Sequence, residues 1–137
     1  MPIHLDTTVL IDALTGPKRS APRLRDVMAS PEPTLINSIV LFEWLRGPRT
    51  QQEIDAQEAL FPKADSAQFG STEAEIAAQL YKKLKRARGR EADLAIAACA
   101  ITHGADLWTL NPRDFRDIPG LCLLNIEEFL LAQSKLN

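Results

Sequence analysis

The sequence predicts an α/β protein in which a short-stranded parallel sheet is covered by helices on both faces. Short apolar runs alternate along the chain with segments of helical periodicity. Glycine, proline and capping residues separate these segments. No Gly/Ser linker, internal repeat or low-complexity tract divides the chain. Residues 1–137 are therefore expected to form one three-layer domain.

The individual elements follow from apolar periodicity and end signals. Strands are predicted at residues 3–6, 34–37, 106–110 and 121–124. Helices are predicted at residues 9–14, 18–29, 39–46, 50–60, 72–88, 91–103 and 127–134, with a short helix after Asn111-Pro112 and a further short strand within 61–70. Thr7 and Ser38 are the expected N-caps of the first and third helices. Gly16, Gly47 and Gly104 mark helix ends.

Composition excludes several classes of protein. Hydrophobic content of 45% and charged content of 25% are typical of a globular domain. The net charge of −2 gives no global polycation of the kind that marks many nucleic-acid-binding proteins. No apolar stretch of about 18 residues and no basic-then-apolar leader is present, so a cytoplasmic protein is expected. Cys99 and Cys122 lie in apolar segments and are expected to be small core residues in a reducing compartment.

Four acidic residues stand where an apolar or turn residue would be expected: Asp6, Glu43, Asp93 and Asp114. The first ends a strand, the second interrupts an apolar helix, the third opens an alanine-rich helix and the fourth follows the third strand. Carboxylates are rarely buried unless a cation pairs with them. Because ligands of open parallel sheets bind beyond the carboxyl ends of the strands, we expect these acids to meet in one pocket there.

Each acid also has a purely structural explanation. Asp6 could cap the helix that follows it, and Glu43 could lie on a solvated helix face. Asp93 would be favoured by the helix dipole in a first turn. Asp114 falls at the third position of a short helix that Asn111 could cap, an arrangement that resembles a capping box. The sequence leaves these explanations open for each residue taken alone.

Four carboxylates in one pocket would require a cation. Two carboxylates about 4 Å apart repel by roughly 4 kcal/mol at an effective dielectric of about 20. All-oxygen ligands select a hard ion such as Mg²⁺ or Mn²⁺. His4 and His103 lack the spacing of a zinc site and are expected to be structural or surface residues. An acid-only metal site suits phosphodiester hydrolysis, because the metal activates water and stabilises the leaving oxygen.

Several blocks occur in a characteristic order: residues 3–12 (IHLDTTVLID), 38–45 (SIVLFEWL), 93–100 (DLAIAACA) and 109–115 (TLNPRDF), followed by PGL at 119–121. Together they resemble PIN-domain ribonucleases, particularly the VapC-type toxins of bacterial and archaeal toxin–antitoxin pairs. The resemblance covers essentially the whole chain and implies a PIN-like three-layer fold. One departure is Thr8, where the family more often has Ser or Asn.

The resemblance also implies roles for the site residues. Asp6 and Asp93 would be the principal metal ligands, and the other two acids would complete the catalytic pocket. Thr7 and Asn111 would be polar supports near the metal. The implied activity is Mg²⁺- or Mn²⁺-dependent cleavage of RNA.

The same resemblance implies partners. A VapB-type antitoxin would hold the activity in check. The chain would form a homodimer, and a heterotetramer or larger assembly with the antitoxin. The resemblance transfers no particular RNA substrate.

A dense basic run leads towards Asp93 and consists of Lys82, Lys83, Lys85, Arg86, Arg88 and Arg90. Such a run is commonly a solvated helix face, but beside a metal site the same charges could hold RNA phosphates. Arg46 and Arg49 invite a similar inference. The candidate RNA-binding residues are Arg46, Arg86, Arg88 and Arg90.

Three other functions share parts of this pattern. A phosphatase of the haloacid-dehalogenase type would use Asp6 as nucleophile, but it needs a second acid where Thr8 stands. A PIN nuclease of RNA processing would share every motif and would lack a neighbouring antitoxin gene. A catalytically idle PIN-like module would bind a protein or RNA, bind Mn²⁺ weakly and show no chelator-sensitive cleavage.

Overall fold

A four-stranded parallel sheet forms the centre of the computed structural model, which describes residues 1–136. Its strands are β1 (Ile3–Leu5), β2 (Thr34–Leu35), β3 (Asp106–Trp108) and β4 (Cys122–Leu123), in the order β2-β1-β3-β4. In β1, Ile3 lies opposite Thr34 on one side and opposite Asp106 on the other. The predicted short-stranded parallel sheet is confirmed.

Helices make up most of the remaining described residues. They are α1 (Thr7–Leu14), α2 (Ala21–Ala29), α3 (Ser38–Arg46), α4 (Gln51–Leu60), α5 (Ser71–Lys83), α6 (Glu91–Thr102) and α7 (Ile126–Ser134). Two short 3-10 helices span Lys63–Asp65 and Pro112–Asp114. None of the helices in residues 1–136 is long and apolar enough to cross a membrane.

The connections place helices on both faces of the sheet. From β1 the chain moves outwards to β2, then returns across β1 to β3. α1 packs against α2, α3 and α4, whereas α5 packs against α6, which in turn contacts β3. Right-handed crossovers in these two opposite directions bring helices to opposite faces of the sheet, which gives the predicted three layers. The reversal between β1 and β3 opens a crevice at their carboxyl ends.

The core is formed between the central strands and α6. Leu5, Leu107 and Trp108 are buried in the strands, and Ala97 and Ala100 of α6 are fully buried. Small side chains allow α6 to lie close to β3, with which it is in contact. The amino end of α6, which carries Asp93, is thereby held close to the sheet.

Two predicted helix caps are wrong by one residue. Asp6, rather than Thr7, occupies the N-cap position of α1, and its side chain makes no capping hydrogen bond. Asn37, rather than Ser38, caps α3 by accepting a hydrogen bond from the Val40 amide at 2.8 Å. The Ser38 hydroxyl instead accepts a hydrogen bond from the Phe69 amide at 3.2 Å. Both helices begin earlier because the strands before them end earlier than predicted.

The helix that carries the basic run is also shorter than predicted. α5 ends at Lys83, and residues 84–90 form turns that include Gly89 at φ 83°. Ala87 is buried beneath these turns. Most of the basic run therefore belongs to an irregular segment rather than to a helix face. The strand considered within 61–70 is reduced to a single bridge between Ala67 and Asn37.

The cysteines and histidines differ in their burial. Cys99 is buried as expected, but Cys122 is exposed, because β4 is an edge strand. His4 is fully buried within β1, and burial lowers its pKa to about 4. His103 is exposed at the end of α6. Neither histidine approaches the four acids as a ligand, in agreement with the structural or surface roles expected of them.

Candidate active site

All four predicted acids line one pocket of about 350 Å³, here called the acid pocket. Asp6 follows β1, Glu43 lies in α3, Asp93 lies in the first turn of α6, and Asp114 ends the 3-10 helix that follows β3. The pocket therefore lies at the crevice between β1 and β3. A larger apolar groove of about 530 Å³ between α1, α2 and α4 contains none of these acids.

Asp6 is held by hydroxyl groups from both central strand ends. Its Oδ2 accepts hydrogen bonds from Thr8 Oγ1 at 2.8 Å and from Thr109 Oγ1 at 2.7 Å. Each hydroxyl is oriented in turn by a backbone amide, that of Leu110 for Thr8 and that of Asn111 for Thr109. Among residues 1–136 no donor bonds Oδ1, so the second oxygen stays open to a cation. The carboxylate does not serve as a helix cap.

Glu43 has one hydrogen-bond donor and one nearby cation. Thr7 Oγ1 donates to its Oε1 at 2.7 Å, and Arg46 Nη2 lies 3.6 Å from its Oε2. Its side chain is 19% exposed, so it lies neither on a fully solvated face nor in the core. The predicted supporting residue Thr7 thus positions Glu43, while Thr8 and Thr109 position Asp6.

Asp93 has the most unusual environment of the four. It is half-buried, and its carboxylate accepts no hydrogen bond from the side chains or backbone of residues 1–136. Burial, together with the charges of Asp6, Asp114 and Glu43, raises the pKa of Asp93 to about 6. The nearby Arg90 acts in the opposite direction but does not cancel this effect. All four carboxylates are therefore close enough to interact electrostatically.

Asp114 lies at the exposed rim of the pocket. Its amide donates to the Asn111 carbonyl at 3.0 Å, but Asn111 makes no side-chain cap, so the suspected capping box is not formed. Asn111 also lines the pocket, and its role as a polar support stays a prediction. The carboxylate of Asp114 is left without a structural task within the described residues.

Arg90 joins the two segments that carry Asp93 and Asp114. Its guanidinium donates two hydrogen bonds to the Asp117 carboxylate, at 2.7 and 2.9 Å, and one to the Asp114 carbonyl at 2.8 Å. These contacts raise the pKa of Arg90 and lower that of Asp117. Bidentate pairs of this kind define geometry as well as energy. The sequence suggested Arg90 only as an RNA contact and gave no signal for this bridge.

The other predicted basic residues are distributed unequally. Arg46 lines the acid pocket, and so does Arg49, which donates to the Trp44 carbonyl at 2.9 Å and lies 4.3 Å above the Trp44 ring. Arg86 lies outside the acid pocket in a neighbouring cleft, whereas Arg88 is exposed and lines neither cavity.

The donor set fits an open Mg²⁺ or Mn²⁺ site. Across residues 1–136 no three His, Cys, Asp or Glu side chains form a ready-made cage around one ion. Mg²⁺ does not need such a cage, because it commonly binds through one or two carboxylates and keeps several waters. The open oxygen of Asp6 and the unpaired carboxylate of Asp93 provide that kind of donor set. Histidine and cysteine ligands are absent from the described lining of this pocket.

Comparison with known proteins identifies the family. The sequence model of the PIN domain family matches residues 3–121. The chain belongs to the PIN-domain family. This PIN-domain chain is also 34% identical over 119 residues to Ribonuclease VapC19 of Mycobacterium tuberculosis, an alignment that covers 85% of the chain and 94% of that protein. It therefore groups with the VapC ribonucleases, as its sequence blocks predicted.

Solved structures support the same assignment. The PIN-domain chain superposes with a TM-score of 0.74 and 25% identity on a chain of VapBC2 from Rickettsia felis bound to a promoter DNA fragment, covering 90% of this chain and 98% of that one. A toxin–antitoxin complex from Klebsiella pneumoniae gives a TM-score of 0.65 at 30% identity, covering 87% and 94%. Membership in this family excludes the phosphatase alternative.

Proposed function

We propose that this VapC-group protein is a ribonuclease toxin that hydrolyses RNA phosphodiester bonds at the acid pocket with Mg²⁺ or Mn²⁺. A VapB-type antitoxin neutralises it. The observation that carries the proposal is that four carboxylates from distant parts of the chain line one pocket, where burial and the three neighbouring acids raise the pKa of Asp93. Carboxylates perturbed in this way cluster at functional sites. A bound divalent cation would relieve the repulsion among them.

Asp6 and Asp93 are the proposed principal ligands. Asp6 offers Oδ1 while Thr8 and Thr109 fix Oδ2, so the open oxygen has a defined direction. Asp93 has no competing hydrogen bond among the described residues. Bound Mg²⁺ or Mn²⁺ supplies Lewis-acid activation of water and neutralises charge at the phosphate.

The other two acids have different proposed tasks. Glu43, which accepts a hydrogen bond from Thr7 and lies near Arg46, adds negative charge at the α3 side of the pocket. Asp114 is exposed and unpaired within residues 1–136, so it can accept a hydrogen bond from water that enters from solvent. Arg46 and Arg49 line the same pocket and can offset the charge of the bound phosphate.

The proposed partners follow from the family. Related proteins were solved as VapBC and toxin–antitoxin complexes. We expect this chain to bind a VapB-type antitoxin and to form a homodimer. Exposed Phe42 and Leu45 on α3 provide apolar surface for such contacts. Light scattering of the chain alone and of the co-expressed pair measures both assemblies.

A cleavage assay tests the catalytic proposal. The purified chain is stripped of metal and incubated with single-stranded RNA in the presence of Mg²⁺, Mn²⁺ or a chelator. We expect cleavage only with metal, inhibition by the co-purified antitoxin, and loss of cleavage in Asp93→Asn. Asp65→Asn is the matched control, since Asp65 is exposed and lies outside the acid pocket.

The same assay separates the alternatives. Chelator-resistant cleavage, or a fully active and folded Asp93→Asn variant, would contradict the assigned site. An idle binding module would show no metal-dependent cleavage at all. A PIN nuclease of RNA processing would cleave RNA but would not inhibit growth or have an inhibitory genomic neighbour.

A further inference from the structure

A second cavity adjoins the acid pocket and has the opposite charge. This basic cleft has a volume of about 650 Å³ and is lined by five cationic side chains: Lys83, Lys85, Arg86, Arg90 and Arg113. Only two carboxylates, Asp114 and Asp117, share its described lining. The whole chain carries a net charge of −2, so the cleft is positively charged although the protein as a whole is slightly negative.

The cations of the basic cleft differ in their availability. Arg90 is engaged by Asp117 and by the Asp114 carbonyl. Lys83, Lys85, Arg86 and Arg113 form no ion pair with any carboxylate in the described part of the chain. All four are exposed. The cleft thus presents four positive charges without a carboxylate partner among the described residues, next to the Arg90–Asp117 ion pair.

The two cavities share one lining residue. Asp114 lines both the acid pocket and the basic cleft. Arg113, the preceding residue, belongs to the cleft, and both lie in the 3-10 helix Pro112–Asp114. A strand with its scissile phosphate at the acid pocket would therefore have its next phosphates beside the cleft.

We propose that the basic cleft binds the sugar–phosphate backbone of single-stranded RNA next to the cleavage point. This inference rests on the ribonuclease function proposed above. Repeated phosphates suit several exposed cations, because each contact releases counterions from the strand. An acidic peptide would need apolar anchors for stable binding, and Leu84 is the only apolar residue in the lining that the described residues form.

The lining also indicates what kind of recognition the cleft provides. Among the described residues it contains no aromatic side chain on which a base could stack. Lysine and arginine contacts to phosphates position a strand but do not read its sequence. The cleft therefore contributes affinity for RNA, while selection of the cleavage sequence takes place elsewhere.

The test measures the salt dependence of RNA cleavage. Lys85→Ala and Arg113→Ala are compared with wild type across about 50 to 200 mM salt. Each variant should raise KM several-fold at the lower salt concentration with little change in kcat. The slope of log kcat/KM against log salt should become shallower by about 0.7 for each phosphate that is no longer bound. Arg19→Ala and Lys63→Ala, exposed cations outside both cavities, are the matched controls.

A modified substrate localises the contact. One methylphosphonate linkage, which carries no charge, is placed one or two nucleotides from the cleavage point on either side. On the side of the strand that enters the cleft, the neutral linkage should raise the KM of wild type. It should not raise further the KM of the double variant Lys85→Ala/Arg113→Ala. Additive losses on both sides, or unchanged salt slopes in folded variants, would overturn the proposal.

Two other outcomes are distinguishable. If the variants keep wild-type RNA kinetics but lose affinity for the antitoxin, the cleft is a protein contact and the RNA proposal is wrong. If wild type shows no metal-dependent cleavage, the proposed function fails separately. Anisotropy of labelled RNA in chelator-containing buffer then still tests the cleft, since equal binding by wild type and the double variant would contradict it.

Discussion

The acid pocket and the basic cleft share Asp114, but they are built in opposite ways. The acids are far apart in the chain and are gathered by the sheet, whereas most cations of the cleft come from one short segment after α5. Asp6 is only 4% exposed and is held by two hydroxyls, while the available cations are exposed and unpaired within residues 1–136. A metal requires defined ligand directions, but a phosphate strand can be held by mobile charges. The contrast therefore separates the proposed site for chemistry from the proposed site for substrate affinity.

The largest effect is expected from the two proposed ligands. Asp6→Asn and Asp93→Asn should each lower kcat/KM more than about 100-fold, since even outer-shell partners of metal ligands cost about 10- to 100-fold. Both variants should still show wild-type circular dichroism. RNA cleavage at saturating Mn²⁺ is the measurement. If the variants lost activity because they unfolded, the result would not support a separation between catalysis at the acid pocket and RNA affinity at the basic cleft.

A hydroxyl that positions Asp6 should matter almost as much. Thr109→Val removes a 2.7 Å donor to Oδ2 with little change in shape, and we expect a roughly 10- to 100-fold loss of Mn²⁺ affinity or activity. Thr109→Ser is the control, because it keeps the hydroxyl and should retain most of the activity. Calorimetric titration with Mn²⁺ provides a readout independent of cleavage. Equal affinities for the valine and serine variants would show that the hydroxyl has no positioning role.

The pH dependence of metal binding distinguishes the acid pocket from the cleft. Metal ligands must be deprotonated, and Asp93 has a pKa of about 6. Mn²⁺ affinity should therefore fall roughly tenfold for each pH unit below about 6. Glu43→Gln removes one of the charges that raise this pKa and should move the midpoint to lower pH. RNA affinity in chelator should change much less over the same range, since lysine and arginine remain charged.

A smaller effect is expected at the bridge between the two regions. Arg90→Ala should lower kcat/KM by about tenfold, because the segments that carry Asp93 and Asp114 are no longer joined. Arg90→Lys keeps the charge but not the bidentate geometry, so it should restore little activity. A simple RNA contact predicts the reverse, with good rescue by lysine and a shallower salt slope.

The smallest effect concerns stability in metal-free buffer. The pKa of Asp93 is about 6 in the folded protein and near 3.8 in the unfolded chain. The folded state therefore binds the proton more tightly, and stability falls as pH rises from about 4 to about 6. Allowing for the exposure of this half-buried group, Asp93→Asn should relieve about 1 kcal/mol at pH 7. Thermal melts should show an increase of roughly 3 °C at pH 7 and little change at pH 4.

The parts predicted correctly were those with a local signal. Apolar runs located the four strands, although each strand ends earlier in the structure than the sequence predicted. Asp6 and Asp93 could be singled out because a carboxylate is unusual in an apolar setting. Cys122 was misassigned because an apolar strand looks the same whether it lies at the centre or at the edge of a sheet. The roles assigned to the four acids remain proposals.

The sequence by itself determined the α/β class, the parallel sheet and the identity of the four acids, because periodicity and residue type are local properties. Only the tertiary structure decided which hydroxyl holds which carboxylate, since Thr109 lies 103 positions from Asp6. It also showed that Arg90 bridges Asp117 and the Asp114 segment, and that its basic neighbours line a separate cleft. Such pairings depend on strand order and helix ends, which bring distant side chains within hydrogen-bonding distance.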